Sequence, residues 1–323
     1  MNAPFPEAAL ALLACPVCGG GLHTDGGALR CTAGHSFDRA RQGYVTLLPP
    51  GHRAPSGDSA EMVADRVTFL DAGHYDGVTR ALVDAVLADA VPPRSLLDLG
   101  GGTGHHLAGV LDRLPGAVGV VLDSSRYAAR RAARAHPRAA AVVADTWARL
   151  PVRDGVLDRV LVVFAPRNGP EIARVLRPDG LLVVVTPAAE HLGEIVGPLG
   201  LLRVDPDKAE RLASSLEPEL VAVAATRVRA ELSLDHGSVV TLVGMGPHAR
   251  HVARPALVEK VRGLGEPVRV TVAVDVATYR PAADLGTRTP EAAAGGDRPP
   301  GEGRRGGSRR ASPVPPSAPG GTV

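Results

Sequence analysis

Three cysteines and one histidine near the start of the chain have the spacing of a metal site. Cys15 and Cys18 form a C-x2-C pair, and Cys31 and His35 follow after twelve residues. Two close pairs of thiolate and imidazole ligands, joined by about a hairpin of chain, suit tetrahedral zinc. Because protein side chains fill all four positions, the ion would stabilise a small fold and would have no open position for catalysis. The alternative, three unrelated thiols, is disfavoured by the paired spacing.

A second group of candidate residues surrounds a glycine-rich turn. It follows the apolar stretch 96–99 and comprises Asp98, Gly100, Gly102, Thr103 and Gly104. Glycine lets the backbone approach a ligand closely and adopt positive φ. The dinucleotide pattern G-x-G-x-x-G fails here, because its last position falls on His105 or Leu107, and the chain contains no Gly-Lys-Ser or Gly-Lys-Thr of a P-loop. The turn therefore predicts a site for a different ligand.

The turn resembles motif I of the class I S-adenosylmethionine methyltransferases, D-x-G-x-G-x-G after a first strand. In those enzymes the loop approaches the methionine part of the cofactor. Asp123 ends the apolar run 117–122, where a carboxylate can accept two hydrogen bonds from a ribose diol. Asp145 follows the run 142–144, where such enzymes often hold the adenine amino group. Each acid alone has a solvated loop residue as its alternative, but three successive strands ending in Asp disfavour that alternative.

These candidate residues require a scaffold in which several strand ends meet. Helix-like segments separate the apolar runs 96–99, 117–122, 141–144, 160–164 and 181–185. This alternation predicts a parallel sheet covered by helices on both faces. Helices are predicted ahead of it at 59–72 and 78–90, and Val239–Val243 and Val268–Val276 are predicted as further strands. The predicted fold class is α/β, a class I methyltransferase Rossmann-like doubly wound sheet with a small N-terminal zinc-binding module.

Composition and charge exclude some functions. The 323 residues contain 45% hydrophobic and 22% charged side chains, and no apolar run approaches the roughly 18 residues that cross a bilayer. A membrane-spanning protein is therefore excluded. The net charge of +2 equals the excess of six arginines over four acids in residues 281–323, so affinity for nucleic acid must come from local patches. All three cysteines lie within the first 31 residues, and a reducing cytoplasm is the predicted location.

The chain resembles the RlmA/TlrB-type 23S rRNA (guanine-N1)-methyltransferases from Cys15 to about Pro247. Besides the metal ligands and motif I, the resemblance rests on the segments 34–38, 40–45, 57–62, 69–75, 164–166, 174–180 and 186–192. A zinc knuckle and a motif I are each common alone, but their combination with these segments is specific. The stretch Met245–His248 resembles the form found in actinomycete, macrolide-resistance members.

The resemblance implies an activity, partners and several site residues. The chain would use S-adenosylmethionine to methylate guanine N1 in a hairpin loop of 23S rRNA and would form a homodimer. The sequence leaves open whether this modification is a housekeeping one or gives tylosin-type macrolide resistance. Tyr75, the pair Gly102–Thr103 and His191 fall where the family contacts the cofactor. The zinc would be structural, and the knuckle and the cleft beside it would bind the RNA.

The predicted organisation has four parts. Residues 1–50 form the zinc-binding knuckle for RNA recognition, 51–92 a helical connector, and 93–280 the S-adenosylmethionine-dependent methyltransferase domain. Residues 281–323 contain nine Gly and eight Pro with almost no large apolar side chains, so a disordered Gly/Pro/Arg tail is predicted.

Two sets of side chains are candidates for contact with RNA. The first set surrounds the knuckle and comprises Arg30, Phe37, Arg39, Arg41 and Tyr44. The second lies on one helix-like segment and comprises Arg126, Arg130, Arg131, Arg134 and Arg138. A solvated helix face is the alternative for the second set.

The sequence disfavours two other methylation chemistries and leaves two other functions open. Cytosine-C5 methyltransferases need a free cysteine nucleophile, whereas every cysteine here is assigned to the metal. Exocyclic-amine methyltransferases usually carry Asn/Asp-Pro-Pro-aromatic where this chain has Phe164–Pro166. Guanine N1 carries a proton, and His105, His106, His191 or water are candidates to remove it. A small-molecule methyltransferase with a structural knuckle and a non-catalytic RNA-binding protein remain as alternatives.

Overall fold

The computed structural model describes residues 5–52, 57–201 and 216–282, so the tail from residue 283 onward lies outside the described residues. In chain order the strands are β1 Leu22–Asp25, β2 Ala28–Cys31, β3 Ser36–Asp38, β4 Val45–Thr46, β5 Ser95–Leu99, β6 Val118–Asp123, β7 Ala139–Val143, β8 Leu157–Val163, β9 Leu176–Pro187, β10 Leu220–Leu234 and β11 Val268–Pro281.

The helices, in the same order, are α1 Glu7–Leu10, α2 Ala60–Asp71, α3 Asp76–Val86, α4 His105–Asp112, α5 Arg126–Ala132, α6 Gly169–Val175, α7 Gly193–Leu199, α8 His236–Gly244 and α9 Arg254–Arg262, with a 3₁₀ turn at Pro247–Arg250. Over the ranges described, none of these helices combines the length and hydrophobicity needed to span a bilayer.

Eight of the described strands form one mixed sheet in the order β10-β11-β9-β8-β5-β6-β7-β4. β5 pairs in parallel with β6 and β8, and β11 runs antiparallel to β9 and β10. All five residues of β5 are buried, as expected for a central strand covered on both faces. The strand order changes direction at β5, and the crevice outside the carboxyl ends of β5 and β8 is where such sheets bind ligands. The predicted doubly wound α/β fold is confirmed.

The first three strands form a separate antiparallel sheet. Of the predicted zinc ligands, Cys15 and Cys18 precede β1, Cys31 ends β2, and His35 lies just before β3. Two backbone attachments join this module to the large sheet. Ala14 N–H donates to Pro151 O at 3.0 Å ahead of the module. After the module, β4 runs parallel to β7, and Leu47 N–H donates to Val143 O at 2.9 Å. The module is therefore tied to the sheet on both sides.

The helices predicted ahead of the sheet are confirmed as α2 and α3. The Ser59 side chain accepts a hydrogen bond from Met62 N–H at 3.2 Å and caps α2, as the Gly-Asp-Ser sequence before an apolar helix favours. The second helix ends at Val86, four residues before its predicted end.

The strand predicted at Val239–Val243 is wrong, because these residues lie inside α8. The Asp235 carboxylate caps this helix by accepting from Ser238 N–H at 2.6 Å. α8 packs against α2 and α9, so its valines are buried although they do not follow a one-sided pattern. A short run of β-branched residues that is apolar throughout does not distinguish a buried helix from a buried strand. Val268–Val276 does form a strand, within β11.

Candidate active site and metal centre

The four predicted zinc ligands lie together in the N-terminal module, with their ligand atoms within 4.8 Å of one another. Cys18 Sγ lies 3.7 Å from Cys31 Sγ, and His35 Nδ1 lies 3.6 Å from Cys15 Sγ and 3.3 Å from Cys31 Sγ. Around a tetrahedral zinc with bonds of about 2.0–2.3 Å, ligand atoms are roughly 3.5–3.8 Å apart. The donors and their spacing therefore fit one structural zinc ion, with His35 binding through Nδ1.

Two tight turns bring the ligand pairs together. Gly19 N–H donates to Cys15 O at 2.8 Å, and Gly34 N–H donates to Cys31 O at 3.0 Å. Gly19 and Gly34 have φ values of 72° and 87°, which glycine adopts without a Cβ clash. A glycine beside each ligand pair is thus part of what lets four distant residues share one ion.

The turn after β5 has a close approach that only glycine allows. A Cβ at Gly100 would lie 2.6 Å from Ala165 Cβ, and a Cβ at Gly101 would lie 2.5 Å from Asp98 Oδ2. Gly104 has a φ of 77° and leads into α4. Only glycine therefore lets the backbone of this turn pack this closely against Ala165 and the Asp98 side chain.

The three predicted acids differ in their partners. Asp123 Oδ2 accepts from Gly102 N–H at 2.9 Å and its Oδ1 accepts from Ser125 N–H at 2.7 Å. Asp145 accepts from Trp147 N–H at 2.9 Å and contacts His52 Nε2 at 2.8 Å. Asp123 ends β6, and Asp145 lies two residues after the end of the neighbouring strand β7.

Asp98 is different, because both of its carboxylate oxygens are buried without a hydrogen-bond partner. Burial, together with the negative charge of Asp123, raises the pKa of Asp98 to about 7. Buried polar atoms in proteins are nearly always paired, so an unpaired carboxylate beside a glycine turn indicates a missing ligand group. A positively charged or hydrogen-bond-donating group would satisfy it.

Asp98 faces a pocket at the carboxyl end of β5. The lining residues are Arg66, Leu70, Tyr75, Asp98, Gly100, Gly101, Thr103, His105, His106, Val163, Phe164 and Met245. Of the predicted cofactor residues, the pocket brings together Tyr75, Asp98, Gly100 and Thr103. The other predicted cofactor residues do not line the pocket directly: Gly102, Gly104, Asp123, Asp145 and His191. Two of them are linked to it, because Gly102 N–H donates to Asp123 and the His191 ring contacts the Tyr75 hydroxyl.

Tyr75 and His191 form a buried pair. The Tyr75 hydroxyl lies 3.4 Å from His191 Nε2, and His191 Nδ1 accepts from Ala273 N–H at 3.2 Å. Burial lowers the pKa of His191 to about 4, so the ring is neutral near pH 7. Because Nδ1 is an acceptor, the neutral ring carries its proton on Nε2 and donates it to Tyr75. The Tyr75 hydroxyl can then donate its own proton to another acceptor.

Arg66 and Phe164 also line the pocket, and the sequence predicts neither of them as a cofactor or substrate contact. Arg66 on α2 approaches the glycine turn, since a Cβ at Gly102 would lie 3.6 Å from Arg66 Cδ. Phe164 follows β8 with a φ of 54°, which is strained for a residue with a side chain, and 38% of it is exposed. Its ring centroid lies 6.0 Å from that of Tyr75 and 5.9 Å from that of His191.

The sequence gives no signal for Arg66, because its approach to the turn depends on how α2 packs. Phe164 belongs to the segment 164–166, which resembles the family and departs from the exocyclic-amine motif, but the sequence predicts no ligand contact for it. Its strained backbone is a structural signal and is compatible with a functional position.

The arginines predicted around the knuckle are partly used within the protein. Arg30 forms an ion pair with Asp25 at 3.0 Å, and Arg39 Cζ lies 5.7 Å from the centre of the Phe5 ring. Phe37 and Tyr44 are half-buried and pack against the hydrophobic cores.

The second basic set is more exposed. Arg126, Arg130, Arg131 and Arg134 lie on or just after α5 and are exposed, and none of the four is in an ion pair with a described residue. Tyr127 on the same helix is 49% exposed. Arg138 turns inward and donates to the carbonyls of Leu111, Leu114 and Ala117, so it supports the end of α4 and does not belong to this surface.

Comparison with known proteins gives matches over most of the chain. A zinc-ribbon family model described as RlmA, N-terminal, matches residues 13–54, and a methyltransferase domain model matches residues 97–184. A Micromonospora griseorubida protein assigned to the 23S rRNA (guanine-N1)-methyltransferases is 54% identical over 83% of this chain and 97% of its own length.

Two further relatives have names from the same group of enzymes. The 23S rRNA (guanine(748)-N(1))-methyltransferase of Streptomyces fradiae is 47% identical over 83% of this chain and 96% of its own length. A Bacillus subtilis (strain 168) protein assigned to the 23S rRNA (guanine-N1)-methyltransferases is 33% identical over 56% of this chain and 66% of its own length. The matches cover both the metal module and the domain that contains the glycine turn.

Proposed function

We propose that this chain, which belongs to the family of 23S rRNA (guanine-N1)-methyltransferases, transfers a methyl group from S-adenosylmethionine to N1 of a guanine in a hairpin of 23S rRNA. Identity of about half over nearly the whole length of two relatives supports the same acceptor. By the same reasoning, the acceptor is the guanine equivalent to the one named for the Streptomyces fradiae enzyme.

One structural observation carries the cofactor part of this proposal. The carboxylate of Asp98 is buried without a hydrogen-bond partner in the described part of the chain, and it lines the pocket beside the glycine turn. This arrangement suits the methionine part of S-adenosylmethionine, which has an ammonium group to pair with Asp98. Asp123 and Asp145, at the ends of the next two strands, would hold the ribose and the adenine.

S-adenosylmethionine, when bound, supplies a methyl group attached to a positively charged sulfur. This chain must then hold guanine N1 close to that methyl and in line with the breaking bond, because alignment accounts for most of the rate in such displacements. Phe164 offers a partly exposed aromatic face beside the pocket, on which a guanine ring can stack. Its strained backbone is consistent with holding that ring in one position.

The N1 proton of guanine must leave as the methyl group arrives. Burial lowers the pKa of His106 to about 3, and burial of His191 lowers its pKa to about 4, so both are weak proton acceptors. His191 is further disfavoured because its acceptor nitrogen already binds Ala273 N–H. Burial also lowers the pKa of His105, but the charges of Asp71 and Asp76 oppose that shift, which leaves His105 and water as the better candidates in this pocket.

The RNA would contact the zinc module and the exposed face of α5. The module is fixed to the sheet on both sides, so an RNA bound there keeps a constant position relative to the pocket. Four exposed arginines and the exposed Tyr127, on and just after α5, suit a phosphate backbone with an unstacked base.

The test is methylation of defined RNA by the full zinc-loaded chain with labelled S-adenosylmethionine. We expect one methyl group per 23S rRNA hairpin, mapped by mass spectrometry to N1 of a single guanine. A hairpin with that guanine replaced by adenine serves as the control and should stay unmodified. Binding of S-adenosylhomocysteine without transfer to RNA would support a small-molecule methyltransferase. Absence of any cofactor binding would support a non-catalytic RNA-binding protein.

Three finer features also belong to this proposal. An rRNA substrate implies action in the bacterial cytoplasm. The homodimer that the resemblance implies stays a prediction, which the mass of the full chain in sedimentation equilibrium would check. Macrolide resistance of the tylosin type would appear as a lower inhibitory tylosin concentration in a strain that lacks the gene.

A further inference from the structure

Arg66 is held firmly at the edge of the pocket but is not fully hydrogen-bonded. Its Nη2 donates to Asp58 Oδ2 at 2.6 Å and to Met245 O at 2.9 Å. Its Nε is buried without a hydrogen-bond partner. An unpaired donor on a charged group is costly, so a fixed guanidinium with one free buried N–H indicates an acceptor that is supplied from outside the protein.

Arg66 and Asp98 flank two consecutive glycines of the same turn. A Cβ at Gly101 would meet the Asp98 carboxylate, and a Cβ at Gly102 would meet the Arg66 side chain. Both charged side chains line the pocket, yet no ion pair joins them, and Asp98 has no hydrogen-bond partner at all in the described part of the chain. The pocket thus presents one unsatisfied acceptor and one unsatisfied donor.

A ligand that carries a positive and a negative group on the same carbon atom would satisfy both side chains. An α-amino acid group has that character, since its ammonium donates and its carboxylate accepts. A carboxylate at Arg66 Nε and an ammonium at Asp98 would place the amino acid group along the bare glycine backbone. A neutral or singly charged ligand would leave one of the two protein groups unpaired.

The positive charge of Arg66 acts across the pocket. Burial is the main cause that lowers the pKa of His106, and the charges of His105 and Arg66 lower it further. Arg66 also opposes the rise that burial causes in the pKa of Tyr75 and of Asp123. Its positive potential therefore reaches several lining groups and would attract a carboxylate.

We propose that Arg66 binds the α-carboxylate of the amino acid part of S-adenosylmethionine and so positions the cofactor opposite Asp98, an inference that rests on the proposed function. Arg66 is a binding residue in this account and takes no part in the chemical step.

The test compares two ligands by calorimetry with the full zinc-loaded chain. S-adenosylhomocysteine retains the amino acid group, and 5′-deoxy-5′-methylthioadenosine lacks it. Arg66→Gln should weaken binding of the first by about ten- to one-hundred-fold and change binding of the second by less than about two-fold. The matched control is Arg254→Gln, which removes an arginine that pairs with Asp65 of α2 away from the pocket and should change neither affinity.

Equal weakening of both ligands by Arg66→Gln would overturn the proposal, because Arg66 would then act by supporting the pocket. Unchanged affinity for S-adenosylhomocysteine would overturn it as well. If Arg66→Gln does not fold, the unaltered chain still decides: decarboxylated S-adenosylmethionine should bind at least ten-fold more weakly than S-adenosylmethionine, and equal affinities would contradict the proposal. Failure of the unaltered chain to bind any of these nucleosides would instead refute the proposed function, and this inference with it.

Discussion

Asp98 makes the stability of the free protein depend on pH. Its pKa is about 7 in the folded protein because of burial and the charge of Asp123, whereas an unfolded Asp has a pKa of about 3.9. The folded state thus holds the proton more tightly. The stability that this residue contributes is complete below pH 4 and is lost as the pH rises through 7. Without ligand, an ionised Asp98 has no compensating partner.

Asp98→Asn should therefore stabilise the free protein relative to the unaltered chain, and the gain should be larger at pH 8 than at pH 5 by roughly 2–3 kcal/mol. Urea unfolding at both pH values measures this difference. The same variant should bind S-adenosylhomocysteine more weakly. Asp145→Asn is the control for the unfolding measurement. Because Asp145 has hydrogen-bond partners, its substitution should not raise the free energy of unfolding. A pH dependence that is the same with and without Asp98 would contradict the account.

At this scale the sequence predicts residues whose roles follow from spacing. The zinc ligands could be identified because two pairs of ligands at fixed intervals are rarely coincidental. The three acids could be located because each stands at the end of an apolar run that predicts a strand. Arg66 could not be predicted, since a single arginine among 34 acquires its role only when α2 packs against the glycine turn. Phe164 likewise depends on a backbone conformation that sequence does not reveal.

The α5 helix is the element that offers the clearest surface for RNA. Substituting both Arg130 and Arg131 with Gln should reduce the slope of log affinity against log salt by about 1.4–1.8, since each phosphate contact to a single or double strand contributes about 0.7–0.9. The turnover at saturating RNA should stay unchanged, because neither residue lines the pocket. Binding of a fluorescent hairpin over a series of salt concentrations provides the measurement.

Arg227→Gln with Arg229→Gln is the matched control for this prediction. These exposed arginines on β10 pair with Asp275 and Glu231, so their loss should leave the slope as it is. Equal slopes for the α5 double variant and the unaltered chain would show that α5 is a solvated face. That result would leave RNA binding to the zinc module.

Elements were predicted well where a sequence signal is local. Ser59 ahead of α2 and the apolar runs of the parallel strands are such signals, and the structure confirms them. The strand prediction for Val239–Val243 is wrong because this run is buried by contacts with α2. α2 lies far away in the sequence, so the residues around the run give no sign of those contacts. β4 was not predicted either, since two residues carry no periodicity and join the sheet only through pairing with β7.

On the scale of the whole molecule, the zinc module shares a hydrophobic core with the large sheet. Leu13, Leu29 and Leu47 from the N-terminal part are fully buried in one cluster with Val120 and Val142 of the sheet. Burial of such side chains contributes about 1.5–3 kcal/mol each. The module is too small for a core of its own, so the metal and the shared cluster together hold it. Loss of the metal should therefore also destabilise the part of the large sheet that shares this cluster.

Cys18→Ser tests this coupling, because it removes one zinc ligand at an exposed position. We expect zinc content to fall and one cooperative unfolding transition to move to a lower temperature. A loss of about 3 kcal/mol would lower the Tm of a body of this size by roughly 6–12 °C. Val17→Ala, beside the ligand and 41% exposed, should change the Tm little. Scanning calorimetry of the full chain distinguishes the alternatives: two separate transitions, with the larger one unmoved, would mean that the module and the sheet unfold independently and that the shared cluster does not couple them.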